Sequence, residues 1–302
     1  MRAVVTGGAG FIGSNLVDAL VERGDDVVVV DNLVSGKPEN LNSRATFVER
    51  DIRDGLGVDA FDVVFHCAAQ ADVQTSVKRP DYDAAVNVIG TIQVLEAARA
   101  AGAKVVFAST GGAIYGECDG PATETSPVRP LSPYGIAKLC GEEYVAGWNR
   151  IHGSGHSVLR FANVYGPRQD SGLEGGVVAI FLERMARDEE TTIFGDGSQT
   201  RDFVYVGDVV AAFLRVASHT GGVYNVGTGT ETSVAELHRL CRDVSGSARM
   251  PVLADARLGD VRRSVLDVSA IEHDLGWRKA FALREGLAKT WEWTADHLGV
   301  AA

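Results

Sequence analysis

Arg2-Ala3-Val4-Val5-Thr6-Gly7-Gly8-Ala9-Gly10-Phe11-Ile12-Gly13 is the stretch from which the rest of the chain is read. Its first five residues form a short apolar run that reads as a buried strand, and Ile12, Leu16, Val17, Leu20 and Val21 then recur at helical spacing. A strand, a glycine turn and a helix together make a phosphate cradle. Gly7 permits the tight turn, Gly10 lets the backbone approach a pyrophosphate, and Gly13 allows close packing of helix on strand. The helix N-terminus at Phe11 and Ile12 offers unpaired N–H groups and partial positive charge. A Gly-x-x-Gly-x-x-Gly spacing alone also fits an ordinary tight connection. The context on both sides favours a dinucleotide: the next strand, Asp26 to Val30, ends in Asp31, roughly 20 residues on, where a ribose-binding carboxylate is expected.

Asp31 also selects between cofactors. A carboxylate accepts hydrogen bonds from ribose hydroxyls and repels a 2′-phosphate, and Asn32-Leu33-Val34 supplies no arginine to welcome one. NAD is therefore expected in preference to NADP, with Asn32 beside it.

The 302 residues, 45% hydrophobic and 23% charged, fit a large α/β domain with a smaller partner. No apolar run reaches the ~20 residues of a membrane helix, and the first strand follows Met1 directly, so a cytoplasmic enzyme is expected. A net charge of −11 with no Lys/Arg-dense block argues against a nucleic-acid partner. The four cysteines form no Cys-x-x-Cys pair, so no metal site is expected.

Strands alternating with helices continue the pattern. Ala45–Glu49 reads as a third strand, and Asp62–Cys67 as a parallel strand buried on both faces, with His66 as a core histidine. That strand opens into Ala68 and Ala69, whose small side chains leave room for a ligand. A helical pattern over 82–101 leads to a strand at Lys104–Ala108, which delivers Ser109 and Thr110 to the same sheet edge; another helix runs from Tyr134 to Arg150. The expected fold is a Rossmann-like doubly wound parallel sheet over 1–165, with segments near 200–217 returning to it. A smaller substrate-binding α/β region is expected over 166–302.

Tyr134 and Lys138 stand four apart at a helix start, hence on one face. A phenol of pKa ~10 needs about 3 units, or ~4 kcal/mol, to serve as a base near neutrality. A neighbouring ammonium and the positive ring of a bound nicotinamide favour the phenolate by that order. On Thr6–Gly13, Asp31-Asn32, Asp51-Ile52, Asn87, Phe107–Thr110, Tyr134–Lys138, Leu159–Arg168 and Arg201–Val206, the chain resembles the extended short-chain dehydrogenase/reductases, specifically the NAD-dependent sugar epimerase/dehydratase family.

The resemblance implies that Thr110 bonds the reacting hydroxyl, that Tyr134 is the base, and that Lys138 holds the nicotinamide ribose and lowers the Tyr134 pKa. It also implies that Asp51, Ile52, Asn87 and Phe161 line the cofactor. Asn163, Val178, Arg201, Arg257 and Asp260 are expected to approach a nucleotide-sugar diphosphate, a role that guanidinium groups suit on chemical grounds. Relatives that dehydrate the sugar carry an Asp-Glu pair just after the Thr; here Gly111-Gly112 follows. Reversible hydride transfer at C4 needs no such pair, so 4-epimerisation of a UDP-sugar, UDP-glucose or UDP-galactose, is the expected reaction. A dehydratase using other residues and a non-catalytic NAD-responsive binding protein are the alternatives. Ser264 matches a sugar-pocket position where a small side chain would admit UDP-N-acetylglucosamine; it fits equally a strand residue facing solvent. A homodimer through the helices near 82–101 and 134–150 is implied as well.

Overall fold

The computed structural model describes residues 1–172, 176–256 and 261–300. β1 (Arg2–Thr6) runs into α1 (Phe11–Glu22), followed by β2 (Asp26–Asp31), β3 (Thr46–Glu49) and β4 (Val63–His66). α2 (Val73–Lys78), α3 (Pro80–Ala84) and α4 (Gly90–Ala101) lead to β5 (Lys104–Thr110), the short α5 (Gly111–Ile114), α6 (Pro133–His152) and β6 (Ser157–Phe161). Beyond them come β7 (Asn163–Tyr165), α7 (Val177–Ala186), β8 (Thr192–Phe194), β9 (Thr200–Arg201), β10 (Phe203–Tyr205), α8 (Val206–Ala217) and β11 (Val223–Val226). β12 (Thr232–Ser233), α9 (Val234–Ser245), β13 (Val252–Ala254), β14 (Arg263–Ser264), α10 (Ser269–Leu275) and α11 (Leu283–Leu298) complete the described chain.

The main sheet has seven strands in the order β11-β6-β5-β4-β1-β2-β3, and each pairing is parallel. This is the doubly wound sheet read from the sequence. Alternating valines explain why it is covered on both faces. Val5, Val29, Phe65 and Val106 pack into one apolar cluster with α1 and α8 residues such as Leu16, Leu20 and Phe213. Val4, Val28, Val64 and Val105 face the other way, onto Val94 and Leu95 of α4 and Val145 of α6. The strand order reverses between β1 and β4, so the connections that follow them lead to helices on opposite faces of the sheet, α1 on one and α4 on the other, and leave a crevice at its carboxyl edge.

α8 packs against α1, β5 and β6, and β11 follows it into the sheet beside β6. A separate apolar core is built by α7, α9 and α11 around Phe181, Leu182, Leu237, Leu287 and Trp291. The helical pattern over 82–101 is continuous but not uniform. α3 passes into a π-helical stretch, Ala85–Ile89, before α4 begins, and such wide turns concentrate near functional sites.

α6 is fixed at both ends by its sequence. Ser132 caps it by accepting the Gly135 N–H at 3.1 Å, Pro133 occupies the first turn, and Gly153 ends it at φ 63°. The helix therefore starts at a defined residue, and Tyr134 and Lys138 inherit a defined phase. No described helix is long and apolar enough to cross a membrane.

Candidate active site

Gly7 adopts φ +70°, and a Cβ there would meet the Ala68 backbone N at 2.6 Å, so the turn after β1 lies directly on the turn after β4. At Gly13 a Cβ would fall on the Gly7 carbonyl oxygen. Close helix packing, expected from the sequence, is thus packing onto the glycine turn itself. No side chain caps α1, whose N-cap is Gly10, and its first turn carries no acid. Its free N–H groups and dipole are left to an anionic ligand.

The crevice above this turn has a volume of about 570 Å³. Gly7, Gly10, Phe11, Ile12 and Gly13 form its floor, with Asp31, Asn32, Asp51 and Ile52 at one end and Ala68, Ala69 and Asn163 towards the other. Asp31 is held in place by two backbone donors, Ala9 N–H at 3.0 Å and Leu33 N–H at 2.8 Å, which fix the carboxylate and leave lone pairs for ribose hydroxyls. Asn32 donates to Asp51 at 2.9 Å, and Arg53 grips Asp51 through Nε at 2.9 Å and Nη2 at 2.8 Å. Those guanidinium bonds hold the Asp51 carboxyl well below its ordinary pKa, against the opposing effect of partial burial. A glycine cradle, an uncapped helix start and a pinned carboxylate fit NAD.

Asn87 and Phe161 stand behind the crevice wall. The Asn87 side chain accepts from Gln70 N at 2.9 Å and donates to Gln70 O at 2.9 Å and Asp83 Oδ1 at 3.0 Å, so it braces the loop that carries Ala68 and Ala69. Phe161 is buried against Phe213, while its neighbours Ala162 and Asn163 line the crevice. Gln70, Lys37, Tyr82 and Arg168 also line it and were not singled out as site residues from the sequence. Of these Arg168 lay inside a motif and Tyr82 on a helix, in α3; the lining role of Gln70 and Lys37 depends on loop paths that leave no periodic signal. His66 bonds Thr6 Oγ1 at 2.8 Å and Thr91 Oγ1 at 3.1 Å, and burial pushes its pKa down to about 3, as suits a neutral core histidine.

Thr110 ends β5, and Tyr134 and Lys138 lie on α6. The Lys138 ammonium is buried, donates to the Ala108 carbonyl at 2.8 Å and sits 4.7 Å over the Phe107 ring. Burial lowers its pKa to about 8 despite the nearby Cys67, Asp83 and Glu142. Burial pushes the Tyr134 phenol up, and the Asp83 carboxylate adds to that. The two causes act in the direction opposite to the neighbouring ammonium and bound nicotinamide ring expected to favour the phenolate.

A Cβ on Gly111 would strike Leu266 at 2.7 Å, so no side chain fits there without moving that core residue. At Gly112 a Cβ would stand in ordinary contact, 3.7 Å from Asn163 Oδ1 and 3.9 Å from Thr110 Oγ1. That measurement also shows that Thr110 and Asn163 converge on one spot.

Ser264 and Arg201 are register partners in parallel β14 and β9, so the structure brings these two predicted residues together on one face. Arg263, next in line, bonds Glu231 at 2.8 Å on the other face. Buried Asp202 locks this region by accepting from Thr228 N at 2.8 Å and Gly229 N at 3.1 Å. Val178 is turned into the second core with Phe181 and Leu182. Arg257 and Asp260 lie outside the described residues.

Residues 3–227 match the model of the NAD dependent epimerase/dehydratase family. The UDP-glucose 4-epimerase of Mycolicibacterium smegmatis is 47% identical over 306 residues, covering 97% of this chain and 98% of that one. The structure of UDP-glucose 4-epimerase with UDP-glucose from Thermotoga maritima superposes with a TM-score of 0.95 at 48% identity, covering 99% of this chain and 100% of the other. That of the Thermus thermophilus UDP-glucose 4-epimerase complex with NAD gives 0.92 at 42% identity, covering 97% and 99%.

The buried Lys138 has a consequence for stability. Below about pH 8 the folded chain holds an ammonium at a desolvation cost; between about 8 and the ordinary lysine value of 10.5 the unfolded chain binds more protons than the folded one. Stability contributed at this site therefore rises with pH across that window. Denaturant unfolding of the cofactor-free protein should show the parent gaining on Lys138→Met from pH 8 to 10; a flat or falling difference would contradict the assignment.

Proposed function

The chain belongs to the NAD dependent epimerase/dehydratase family, and from that premise we propose that it is an NAD-dependent 4-epimerase of a UDP-sugar, with UDP-glucose and UDP-galactose as its substrate pair. The observation that carries the choice of reaction is the Thr110–Gly111–Gly112 corner. Elimination of water from the sugar needs an acid and a base beside the reacting carbons, and this corner supplies neither. Position 111 is closed by Leu266, and position 112 has room but no side chain.

Gly10, Phe11 and Ile12 would hold the NAD pyrophosphate, Asp31 its adenosine ribose, and Asp51 and Ile52 the adenine end. When bound, NAD supplies a reversible hydride acceptor for C4 of the sugar and a positive ring near Tyr134. That charge, added to the Lys138 ammonium, opposes the burial and the Asp83 charge that raise the phenol. Tyr134 then takes the proton of the 4-hydroxyl and returns it after the transient 4-keto sugar has turned over. Thr110 bonds the same oxygen. Lys138 keeps the nicotinamide ribose and the phenol in register through its anchor on Ala108 O. Asn163 and Arg201 approach the diphosphate, and the substrate region of 166–302 is supported by its own apolar core.

The same proposal includes a homodimer. Ile89 is 50% and Ile136 56% exposed, on the two neighbouring helical segments expected to meet a symmetry mate. Four unpaired thiols suit a reducing compartment, which supports a cytoplasmic location.

Incubation with UDP-glucose should yield UDP-galactose by NMR, and Tyr134→Phe should keep its fold and NAD while losing 10² or more in turnover. A 4-keto-6-deoxy product formed by loss of water, or Tyr134→Phe activity within a few-fold of the parent, would overturn the reading. Ser264 lies beside Arg201, so Ser264→Tyr should suppress conversion of UDP-N-acetylglucosamine by roughly 5- to 150-fold while sparing UDP-glucose. Equal effects on both substrates would place Ser264 outside the pocket. Light scattering should give the mass of two chains at micromolar concentration, and a monomer would remove the dimer.

A further inference from the structure

Resting on the 4-epimerase reading, we propose that Ser109, Glu142 and Arg160 form a buried clamp that sets the distance between Tyr134 and Thr110, and that Ser109 and Glu142 are positioning residues for the reaction. The two groups that must meet one sugar hydroxyl come from different elements, Thr110 from the end of β5 and Tyr134 from the start of α6. Their separation is therefore only as well defined as the seat of α6 on β5.

Three successive residues of β5 make that seat. At Phe107 the backbone of α6 comes so close that a Cβ on Gly141 would meet the ring at 2.8 Å. At Ala108 the carbonyl accepts from Lys138 Nζ at 2.8 Å. At Ser109 the hydroxyl donates to Glu142 Oε1, one turn beyond Lys138 on the same helix face. Tyr134, Lys138 and Glu142 thus form one i, i+4, i+8 row, and Ser109 is the residue next to Thr110.

Glu142 is held in turn from β6. Arg160 Nε donates to its two oxygens at 3.1 and 3.0 Å and Nη2 donates at 2.6 Å, with the two side chains 8% and 5% exposed. Arg160 Nη1 then donates to Tyr115 OH at 2.8 Å and to Glu124 O at 3.0 Å, and Tyr115 donates to Asn225 Oδ1 of β11 at 2.8 Å. A bidentate, fully bonded pair is geometrically stiff. An apolar contact between helix and strand would permit sliding; this arrangement does not. A shift near 1 Å between reacting groups costs on the order of 10²-fold in rate. The clamp accounts for why a charged pair is kept in the sheet–helix interface, where apolar residues of like volume would be at least as stabilising.

The test compares three variants. Ser109→Ala removes the tie to β5 and leaves the ion pair intact. Glu142→Gln removes the charge that Arg160 grips. Val216→Ala, in α8 on the opposite face of the sheet, is a cavity control that leaves the clamp alone. With UDP-glucose, Ser109→Ala should lower kcat by about tenfold or more, with KM and NAD affinity within twofold of the parent. Val216→Ala should lose as much or more in Tm while its kcat stays within twofold. Glu142→Gln should fall further in kcat than Ser109→Ala; should it fail to fold, the Ser109→Ala and Val216→Ala comparison decides. A Ser109→Ala kcat within twofold of the parent, or a kcat loss matched by the control, would overturn the clamp. A parent with no 4-epimerase activity would instead overturn the functional reading on which it rests.

Discussion

A side chain at position 13 would occupy the place of the Gly7 carbonyl oxygen, and this one steric limit orders the nucleotide half of the molecule. Because α1 begins on the turn that ends β1, its free N–H groups point over the sheet's carboxyl edge. The same turn rests on Ala68, so the floor of the crevice is shared between β1 and β4, the pair at which the strand order reverses. Asp31, held by the Ala9 and Leu33 amides, closes one end of that floor. The floor of the crevice thus rests on backbone contacts that only glycine permits, and the acid at its end on two amide donors.

The chemistry lies at the other end, where β5, α6 and the β6–β7 link converge. Tyr134 and Lys138 carry opposite perturbations from one cause. Burial makes the phenol harder to ionise and the ammonium easier to lose. Under the proposed mechanism, positive charge brought beside the phenol would oppose that shift. Under the same proposal, the absence of an acid at Gly111 and Gly112 leaves proton and hydride exchange at one carbon as the chemistry of this corner.

Much of this was legible in the amino-acid sequence. The valine runs of β1, β2 and β4, the glycine turn and the pinned acid at Asp31 are local features with strong periods, and their elements fall within one or two residues of expectation. The Tyr134–Lys138 row was equally local. The Asn87 amide bonds Gln70 and Asp83, and Phe161 packs on Phe213, partners that the motifs did not announce. Motif spacing gives a residue's address and not its side-chain partner. The anchor of Lys138 was invisible for a related reason, since a carbonyl acceptor such as Ala108 O carries no residue-type signature. β9, β12 and β14 are two residues long, too short to show a period, and they pair across long sequence separations. The meeting of Ser264 with Arg201 could therefore be seen only in three dimensions.

In the proposed reaction hydride leaves C4 of the sugar and returns to the same carbon without exchange with water. UDP-glucose labelled with deuterium at C4, converted by the purified protein in ordinary water, tests it directly. The expected product is UDP-galactose that retains the deuterium at C4. Loss of the label to solvent, or its appearance at another carbon, would contradict it.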